Sequence, residues 1–288
     1  MNKKISILIT GSNGQLGTEF RMLENKFPNH QFLFTTKENL AIDREADIAP
    51  FFLKHTFDYC INCAAYTAVD KAETEKEKAY LINATAAGYL AKACAHYGVK
   101  LFHISTDYVF NGTGNEPYKE TDPVNPLNYY GFTKLEGEKL VQQFHQQSII
   151  LRTSWVYSPY GINFVKTMIR LMQQKESIAV VGDQWGAPTY AADLAEAIMH
   201  ILSSGKFTAG IYHYSNRGMI SWFEFAQKIK DYISSSCIVN PITTKEYPTP
   251  ARRPHYSVFN LSKIQEVFGI QIPEWQDALK RCIHLMQA

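Results

Sequence analysis

The sequence predicts an α/β protein whose parallel sheet is covered by helices on both faces, the arrangement called doubly wound. Two observations support this prediction. Short apolar runs alternate with helix-like stretches through the first half of the chain, and such alternation is typical of βαβ units. A glycine-rich segment, residues 11–17, directly follows the first apolar run, which is where the first β-to-α turn of such a sheet lies.

Five apolar runs are the predicted strands of this sheet, and they cover residues 5–10, 31–35, 59–63, 100–105 and 148–153. Helix-like stretches separate them, and the longest predicted helix covers residues 71–97. Apolar side chains recur there every three or four positions from Ala79 to Ala93. Gly98 follows as the glycine that commonly ends a helix.

The second half of the chain is less regular, with turn-rich stretches at residues 158–161 and 247–250. Ser221 and Glu224 have the spacing of a capping box, which predicts a helix from there to about residue 233. Pro273 is predicted to start a final helix. We expect two domains, residues 1–157 and 158–288, with part of residues 189–215 returning to the main sheet.

The composition argues against several classes of function. Lys and Arg total 29 and Asp and Glu total 27, so a net charge of +2 provides no global field for binding nucleic acid or an anionic membrane. The hydrophobic fraction of 45% and the charged fraction of 19% are those of a globular protein and argue against disorder.

The cysteines and the apolar runs indicate a cellular compartment. Cys60 and Cys63 form a C-x-x-C pair, but no second pair completes a zinc site, so we interpret them as buried strand cysteines in a reducing compartment. The apolar run that follows Lys3 and Lys4 is too short for a signal peptide. No other run approaches the roughly 20 residues of a spanning helix. We therefore expect a soluble, cytoplasmic protein.

The segment Gly11-Ser12-Asn13-Gly14-Gln15-Leu16-Gly17 has the properties of a phosphate-binding loop. Its glycines permit a tight turn, a close approach of backbone to a pyrophosphate and close packing of helix on strand. The following helix offers free N–H groups and the positive end of its dipole to the anion. The segment therefore predicts a Rossmann-like dinucleotide site, although its glycine spacing differs from the usual G-x-G-x-x-G.

The end of the second predicted strand bears on the choice of cofactor. It reads Phe34-Thr35-Thr36-Lys37, without the carboxylate that usually binds the ribose 2′-hydroxyl of NAD. A neutral or basic end tolerates the 2′-phosphate of NADP, so we expect NADPH or NADH with NADPH slightly favoured. The alternative interpretation is that Lys37 is a solvated surface lysine.

Tyr130 and Lys134 are four residues apart in a predicted helix that Asn128 can cap, so they share one face. Tyr129 lies about 140° around the helix from Lys134 and is the weaker candidate. An ammonium beside a phenol favours the phenolate, so we expect a tyrosine pKa lowered towards neutrality. Such a pair could protonate a nascent alkoxide.

Ser105 and Thr106 end a predicted strand, at the edge where parallel sheets bind ligands. A hydroxyl there could hydrogen-bond a reacting carbonyl oxygen alongside Tyr130. The two side chains should point to opposite faces of the sheet, and spacing alone does not say which one faces the site.

Seven segments form a more specific pattern: TGSNGQLG at 10–17, NCAAYTAVDKAE at 62–73, STDYVFNG at 105–112, YGFTK at 130–134, RTSWVY at 152–157, DQWGAPT at 183–189 and YPTPARRP at 247–254. Together they resemble the extended short-chain dehydrogenase/reductase family, and within it the branch that reduces dTDP-4-keto-6-deoxy sugars. The resemblance covers nearly the whole chain. It implies a dTDP-sugar substrate, with residues 1–157 binding NAD(P) and residues 158–288 mainly binding the substrate.

The resemblance also implies roles for individual residues. The loop residues Gly11, Asn13 and Gly17 would belong to the cofactor site, with Gly14, Gln15 and Leu16 on its phosphates. Asp43 and Arg44 would lie near the adenine, and Ala64, Ala65 and Tyr66 would border the nicotinamide half. Tyr130 would donate the proton, Lys134 would hold the nicotinamide ribose, and Thr106 would replace the usual serine. Asp107 and Trp155 would contact the nucleotide-sugar together with Thr106 and Tyr130.

Two departures from the family pattern are Cys63, where alanine is usual, and Tyr66, where histidine is frequent. Some members hold a metal between subunits with acidic residues. Glu19 matches one such position, but Ala192 stands where another glutamate would be, so we predict no metal site. The resemblance allows a homodimer that does not depend on a metal.

The function implied by the resemblance is NAD(P)H-dependent reduction of the C4 ketone of dTDP-4-dehydro-L-rhamnose to dTDP-L-rhamnose. One alternative is a reductase or epimerase of the same fold that acts on another nucleotide-sugar. A second is a non-catalytic regulatory subunit resembling that of methionine adenosyltransferase, which the intact Thr106, Tyr130 and Lys134 set disfavours.

Overall fold

The computed structural model describes residues 4–287, and its centre is a parallel sheet of six strands in the order β10-β5-β4-β3-β1-β2. The strands of the chain are β1 Ile5–Thr10, β2 His30–Phe34, β3 Tyr59–Asn62, β4 Lys100–Thr106, β5 Ser148–Thr153, β6 Val156–Tyr157, β7 Ser177–Val181, β8 Trp185–Gly186, β9 Thr189–Tyr190, β10 Gly210–Tyr214, β11 Ile220–Ser221 and β12 Ile238–Ile242. The predicted domains begin at residue 1 and end at residue 288. Those two end residues lie outside the described range. Lys3, which was named in the argument against a signal peptide, also lies outside it.

The helices of the described residues are α1 Gln15–Leu23, α2 Glu45–Lys54, α3 Val69–Ala72, α4 Lys76–Tyr80, α5 Ala86–His96, α6 Tyr129–Phe144, α7 Phe164–Gln174, α8 Ala191–Ser203, α9 Trp222–Tyr232, α10 Ser262–Phe268 and α11 Trp275–Gln287. Short 3₁₀ turns cover Glu24–Lys26, Asp107–Val109 and Thr244–Glu246. No helix within residues 4–287 is long and apolar enough to cross a membrane.

The main sheet is buried between two apolar layers, as predicted for a doubly wound fold. Ile7, Leu8 and Ile9 of β1 are fully buried, because successive side chains of a central strand enter opposite layers. Helices α1 and α8 cover one face, and helices α2, α5 and α6 cover the other. Each neighbouring pair of strands is parallel, so the carboxyl ends of the strands share one edge.

A second apolar core lies in the later part of the chain. Side chains of α7, α9 and α11 pack there around Phe225, with a parallel pair formed by β7 and β12. The capping box predicted at Ser221 is confirmed: its hydroxyl accepts from the backbone of Glu224, and the Glu224 carboxylate accepts from the backbone of Ser221. Strand β10 pairs with β5 and forms one edge of the main sheet.

The stretch predicted as one helix over residues 71–97 is mostly helical, but it is interrupted at residues 73–75. Helix α3 ends at Ala72, and α4 begins only at Lys76, because the Thr74 hydroxyl donates to the Lys71 carbonyl and competes with helical pairing. A π-helical turn, Leu81–Thr85, then joins α4 to α5. Gly98 follows α5 in the left-handed conformation, as expected.

The last helix begins at Trp275 and not at the predicted Pro273. The reason is a backbone bridge, in which the Arg217 amide donates to the Pro273 carbonyl and the Trp275 amide donates to the Arg217 carbonyl. This bridge holds residues 273–275 in an extended conformation before the helix can start.

Candidate active site

A cavity of about 850 Å³ opens at the carboxyl ends of β1, β3 and β4. The strand order reverses at this point, because β2 and β3 lie on opposite sides of β1, and such a crevice is the usual ligand site of an open parallel sheet. The volume lies within the range of natural small-molecule sites. The residues that line it come mainly from the glycine loop, the segment after β2, the ends of β3 to β5, helix α6 and the loop at residues 161–163.

The glycine loop presents the start of α1 to the cavity. Gly14 is the N-cap and makes no side-chain cap bond, so the first N–H groups of the helix are free to meet an anion. Gly11 has a φ of 64°, and a Cβ there would lie 2.6 Å from the Ala64 amide nitrogen. Gly17 is not a lining residue, but a Cβ there would lie 2.5 Å from the Ser12 Cα. The loop therefore needs glycine for its own packing as well as for ligand approach.

Gly11, Asn13, Gly14, Gln15 and Leu16 all line the cavity. A loop from the second core reaches them, since the Asn163 amide donates to the Gln15 side-chain oxygen at 2.9 Å. Gly161 and Ile162 of the same loop complete this wall. No local sequence signal pairs residues that lie so far apart in the chain, and these lining residues are missing from the predicted set.

The segment after β2 lines the end of the cavity where the resemblance implies that the adenine would bind. This segment contributes two carboxylates. Lys37, Glu38 and Asp43 all line the cavity, and Lys37 pairs with Asp43 at 3.0 Å. The end of β2 has no acidic residue, as the sequence indicated. However, Glu38 and Asp43, which follow in the next loop, line the same end of the cavity. Arg44 is not among the lining residues, and its side chain lies 3.9 Å from Asp47 on the exposed surface.

The segment after β3 forms the floor of the cavity. Cys63, Ala64, Ala65 and Thr67 line it, whereas Tyr66 is buried in a small cluster beside it. The Asn83 side chain explains this difference, since its amide oxygen accepts from the Tyr66 amide and its nitrogen donates to the Tyr66 carbonyl. Cys63 was interpreted from sequence as a buried strand cysteine, but it lies just after β3, and the residue as a whole is half-buried.

Thr106, Tyr130 and Lys134 meet on one wall of the cavity. Asn128 caps α6 as predicted, because its side chain accepts from the Gly131 amide at 2.8 Å. The Lys134 ammonium nitrogen donates to the Ile104 carbonyl at 2.6 Å. Tyr129 turns away and packs on Phe132, as its angle around the helix indicated.

The predicted lowering of the tyrosine pKa is wrong. Burial raises the pKa of Tyr130 to about 12, and hydrogen bonding with Thr106 opposes this rise only in part. Burial also lowers the pKa of Lys134 to about 8, against the opposing effect of Glu138. The sequence argument considered the ammonium and the phenol alone, whereas desolvation acts on both groups and favours their neutral forms. Near neutral pH the phenol therefore keeps its proton.

The two hydroxyls at the end of β4 have separate partners. Thr106 is hydrogen-bonded towards Tyr130 and donates to the Asp107 carboxylate at 3.0 Å. Ser105 donates to the Glu138 carboxylate at 2.5 Å, about two helical turns along α6 from Tyr130. The structure thus places the Thr106 hydroxyl, and not that of Ser105, beside the phenol.

Asp107 and Trp155 do not line this cavity but lie next to residues that do. Asp107 is buried behind Thr106, and burial raises the pKa of its carboxyl to about 6. Trp155 follows β5 with a φ of 48° and stacks on Trp222 with ring centroids 3.5 Å apart. Gly186 leaves room for the indole, because a Cβ there would lie 2.6 Å from the ring.

Comparison with known proteins shows the family to which the chain belongs. The family model described as RmlD substrate binding domain matches residues 5–288. A dTDP-4-dehydrorhamnose reductase from Aggregatibacter actinomycetemcomitans is 41% identical, over 95% of this chain and 97% of that protein. The chain belongs to the RmlD family of dTDP-4-dehydrorhamnose reductases.

Two further proteins are similar to this chain over nearly its whole length. The spore coat polysaccharide biosynthesis protein SpsK of Bacillus subtilis strain 168 is 42% identical, over 95% of both chains. The crystal structure of dTDP-4-dehydrorhamnose reductase from Bacillus anthracis in complex with NADP superposes with a TM-score of 0.94 at 41% identity, covering 98% of this chain and 99% of that one. The predicted fold class is therefore confirmed.

Glu19 and Ala192 are the two positions that the prediction about a metal site concerned. Glu19 is buried and accepts a hydrogen bond from the Ser158 hydroxyl at 2.7 Å, and Ala192 packs against the second core. Within residues 4–287, no group of three or more histidine, cysteine or acidic side chains could hold a metal ion.

Proposed function

We propose that this protein reduces the C4 ketone of dTDP-4-dehydro-L-rhamnose to dTDP-L-rhamnose with NADPH or NADH. The observation that carries the proposal is the meeting of Thr106, Tyr130 and Lys134 on one wall of a cavity that begins at a free helix N-terminus. Membership of a family of reductases supports the same substrate. The relative bound to NADP supports the same class of cofactor.

The cavity fits a dinucleotide in shape and in chemistry. The uncapped start of α1 faces it with Gly14, Gln15 and Leu16, which would take the pyrophosphate. Asp43 would lie at the adenine end, and Ala64 and Ala65 would border the nicotinamide. When bound, the reduced nicotinamide supplies a hydride to the substrate carbonyl carbon.

Side chains of α6 and of the end of β4 would donate the proton and stabilise the oxyanion. Tyr130 is a neutral phenol near pH 7, so it can give its proton to the alkoxide that forms from the C4 ketone. The Thr106 hydroxyl would stabilise the developing oxyanion beside Tyr130. Lys134, mostly an ammonium at pH 7, would hold the nicotinamide ribose and can return a proton towards Tyr130.

The residues that would bind the substrate are assigned from their location next to the cavity. Asp107 and Trp155 lie at the ends of β4 and β5, next to the cavity, and would contact the nucleotide-sugar. Most of the region after residue 157 would then bind substrate, and residues 1–157 would bind the cofactor. Strand β10 is the part of the later region that belongs to the main sheet.

The test is to mix the purified protein with dTDP-4-dehydro-L-rhamnose and follow the loss of NADPH absorbance, identifying the product by mass and sugar analysis. The Tyr130→Phe variant should lose about 10²–10⁴-fold in kcat while binding NADPH normally, because only the proton is removed. Tyr129→Phe is the matched control and should retain activity. Turnover of other keto-sugar nucleotides in preference to this one would overturn the substrate assignment, and no turnover would overturn the reaction.

The cytoplasm is the proposed compartment, since all five cysteines are free thiols in the structure, as expected in a reducing environment. Homodimer formation and the lack of nucleic-acid binding stay predictions. Light scattering at two protein concentrations tests the first, and a DNA-binding titration tests the second.

A further inference from the structure

Glu138 lies beneath the wall that carries the three proposed catalytic residues. It is the third member of a stripe on α6, after Tyr130 and Lys134, at intervals of four residues. Side chains so spaced share one helix face. The Glu138 side chain is 2% exposed and is the only one of the three that does not line the cavity.

Two strands fix the Glu138 carboxylate. Arg152 of β5 binds both of its oxygens, with nitrogen–oxygen distances of 2.9 and 2.7 Å. Ser105 of β4 donates to it at 2.5 Å. The bidentate geometry restricts the carboxylate plane as well as its position, so the helix face that bears Glu138 cannot rotate freely against the strands.

The anchoring point lies at the base of the cavity wall. Ser105 and Arg152 are register partners in the sheet. Ser105 lines the cavity, and so do both members of the next pair, Thr106 and Thr153. Helix α6 is also closely packed, because a Cβ at Gly131 would lie 2.2 Å from the Tyr108 carbonyl oxygen. A carboxylate fixed at this level therefore sets how far Tyr130 and Lys134 reach into the cavity.

Glu138 also affects the charge state of Lys134, as the groups that surround the ammonium show. On α6 the charge of Glu138 acts on it, while Tyr130, four residues before it, is a neutral phenol. From the end of β3 it meets Cys63, whose thiol pKa is raised by burial. From β4 it meets His103, whose pKa is lowered by burial, so that the imidazole is neutral. Arg152 of β5 lies beyond Glu138 and is neutralised by it. Glu138 is thus the carboxylate that favours the ammonium form of Lys134.

We propose that Glu138 is a positioning residue for the reduction, which fixes the register of α6 against β4 and β5 and holds the Lys134 ammonium in its charged form at the pH of catalysis. The inference rests on the proposed function for its reaction, but its effect on Lys134 can be measured by cofactor binding alone. Ser105 and Arg152 act with it as the groups that hold the carboxylate in place.

The experiment compares the Glu138→Gln variant with the wild type over a range of pH. NADPH binding is measured by quenching of protein fluorescence, and kcat/KM is measured with the keto-sugar. We expect the alkaline limb of both profiles to move to lower pH by about one pH unit, because removing an adjacent opposite charge favours the neutral amine. Glu136→Gln, on the same helix but paired with exposed Lys139, should leave both profiles unchanged.

A buried Arg152 without its partner could prevent folding, so a second variant is included. Glu138→Leu combined with Arg152→Met removes both charges and leaves none unpaired. Its NADPH-binding limb should also move to lower pH. If the limb of either folded variant coincides with that of the wild type, Glu138 does not control Lys134 and the proposal is overturned. A wild-type protein that binds NADPH but does not reduce the sugar would refute the proposed function while leaving this binding test intact.

Discussion

The ammonium of Lys134 donates to the backbone carbonyl of Ile104 across 2.6 Å, so the lysine is held by the strand next to its helix and not by the neighbouring phenol. The strand bond fixes the ammonium at the cavity wall, while burial lowers its pKa to about 8. A cation that titrates this close to neutrality makes the site sensitive to pH on its alkaline side.

We therefore predict that NADPH binding weakens as the pH rises through about 8. Below that value Lys134 is an ammonium and can hold the ribose hydroxyls, and above it the neutral amine binds them less strongly. Lys134→Ala should bind NADPH more weakly and show no such dependence. The measurement is a fluorescence titration on both sides of pH 8, and a wild-type profile that is flat there would contradict the assignment.

Asp107→Asn is predicted to weaken substrate use and to stabilise the fold. The carboxyl is buried, and its pKa is raised from 3.8 to about 6. Because the folded-state pKa is raised, this group favours folding at low pH, and that contribution is lost as the pH rises through 6. At pH 7 the variant should gain on the order of 3 kcal/mol in the free energy of unfolding.

Urea unfolding at pH 7 and at pH 4 measures the stability effect of Asp107→Asn, and the gain should disappear at the lower pH. In the activity assay, KM for the keto-sugar should rise while NADPH binding is unchanged. A variant with wild-type KM would remove Asp107 from the substrate site, whatever its stability.

The choice between NADPH and NADH should depend on Lys37 and the acids around it. Lys37 is paired with Asp43 at 3.0 Å, and Glu38 lies at the same end of the cavity. The lysine can bind a 2′-phosphate, whereas the carboxylates repel it and can bind a free 2′-hydroxyl. We predict that Lys37→Ala lowers affinity for NADPH several-fold more than for NADH, and that Asp43→Asn does the reverse.

Titrations of both cofactors into each variant give the ratio of dissociation constants, and high salt should reduce the effect because Lys37 is largely exposed. Lys26→Ala, which removes a lysine of the surface pair with Glu196, is the control. Equal losses for both cofactors in Lys37→Ala would show that this lysine does not bind a 2′-phosphate.

The parts of the site that sequence could predict are those fixed by local geometry. Asn128, Tyr130 and Lys134 belong to one helix, so a cap and an interval of four residues suffice to place them. The glycine loop was predictable for the same reason, because it lies between one strand and the next helix.

The parts that sequence could not predict depend on contacts between distant segments. Thr106 rather than Ser105 faces Tyr130, since the pairing of β4 with β5 and the Arg152–Glu138 ion pair place the Ser105 hydroxyl on Glu138 instead. The direction of the Tyr130 pKa shift depends on burial, which spacing along a helix does not show. Glu38 was predictable in principle, because an acid in the turn after the second strand is a recognised signal.

Trp155 is the sharpest test of the substrate side, because a ring beside the ligand and a ring in the core respond differently to removal. It is partly buried, stacks on Trp222, and has a φ of 48° that only glycine adopts without strain. If it contacts the nucleotide-sugar, Trp155→Ala should raise KM for the keto-sugar and leave NADPH binding unchanged. The loss of stability should stay below the ~3–5 kcal/mol typical of an emptied buried tryptophan site.

Trp155→Gly separates the ring from the backbone, since it removes the same indole but relieves the left-handed strain, which costs about 1–3 kcal/mol in a non-glycine residue. It should therefore be more stable than Trp155→Ala while showing the same rise in KM. Trp275→Ala, at a fully packed site in the second core, is the control for a structural tryptophan and should lower stability by the larger amount. If both Trp155 variants keep the wild-type KM and lose as much stability as Trp275→Ala, the ring belongs to the core, and the substrate side must then be assigned to Asp107 and its neighbours alone.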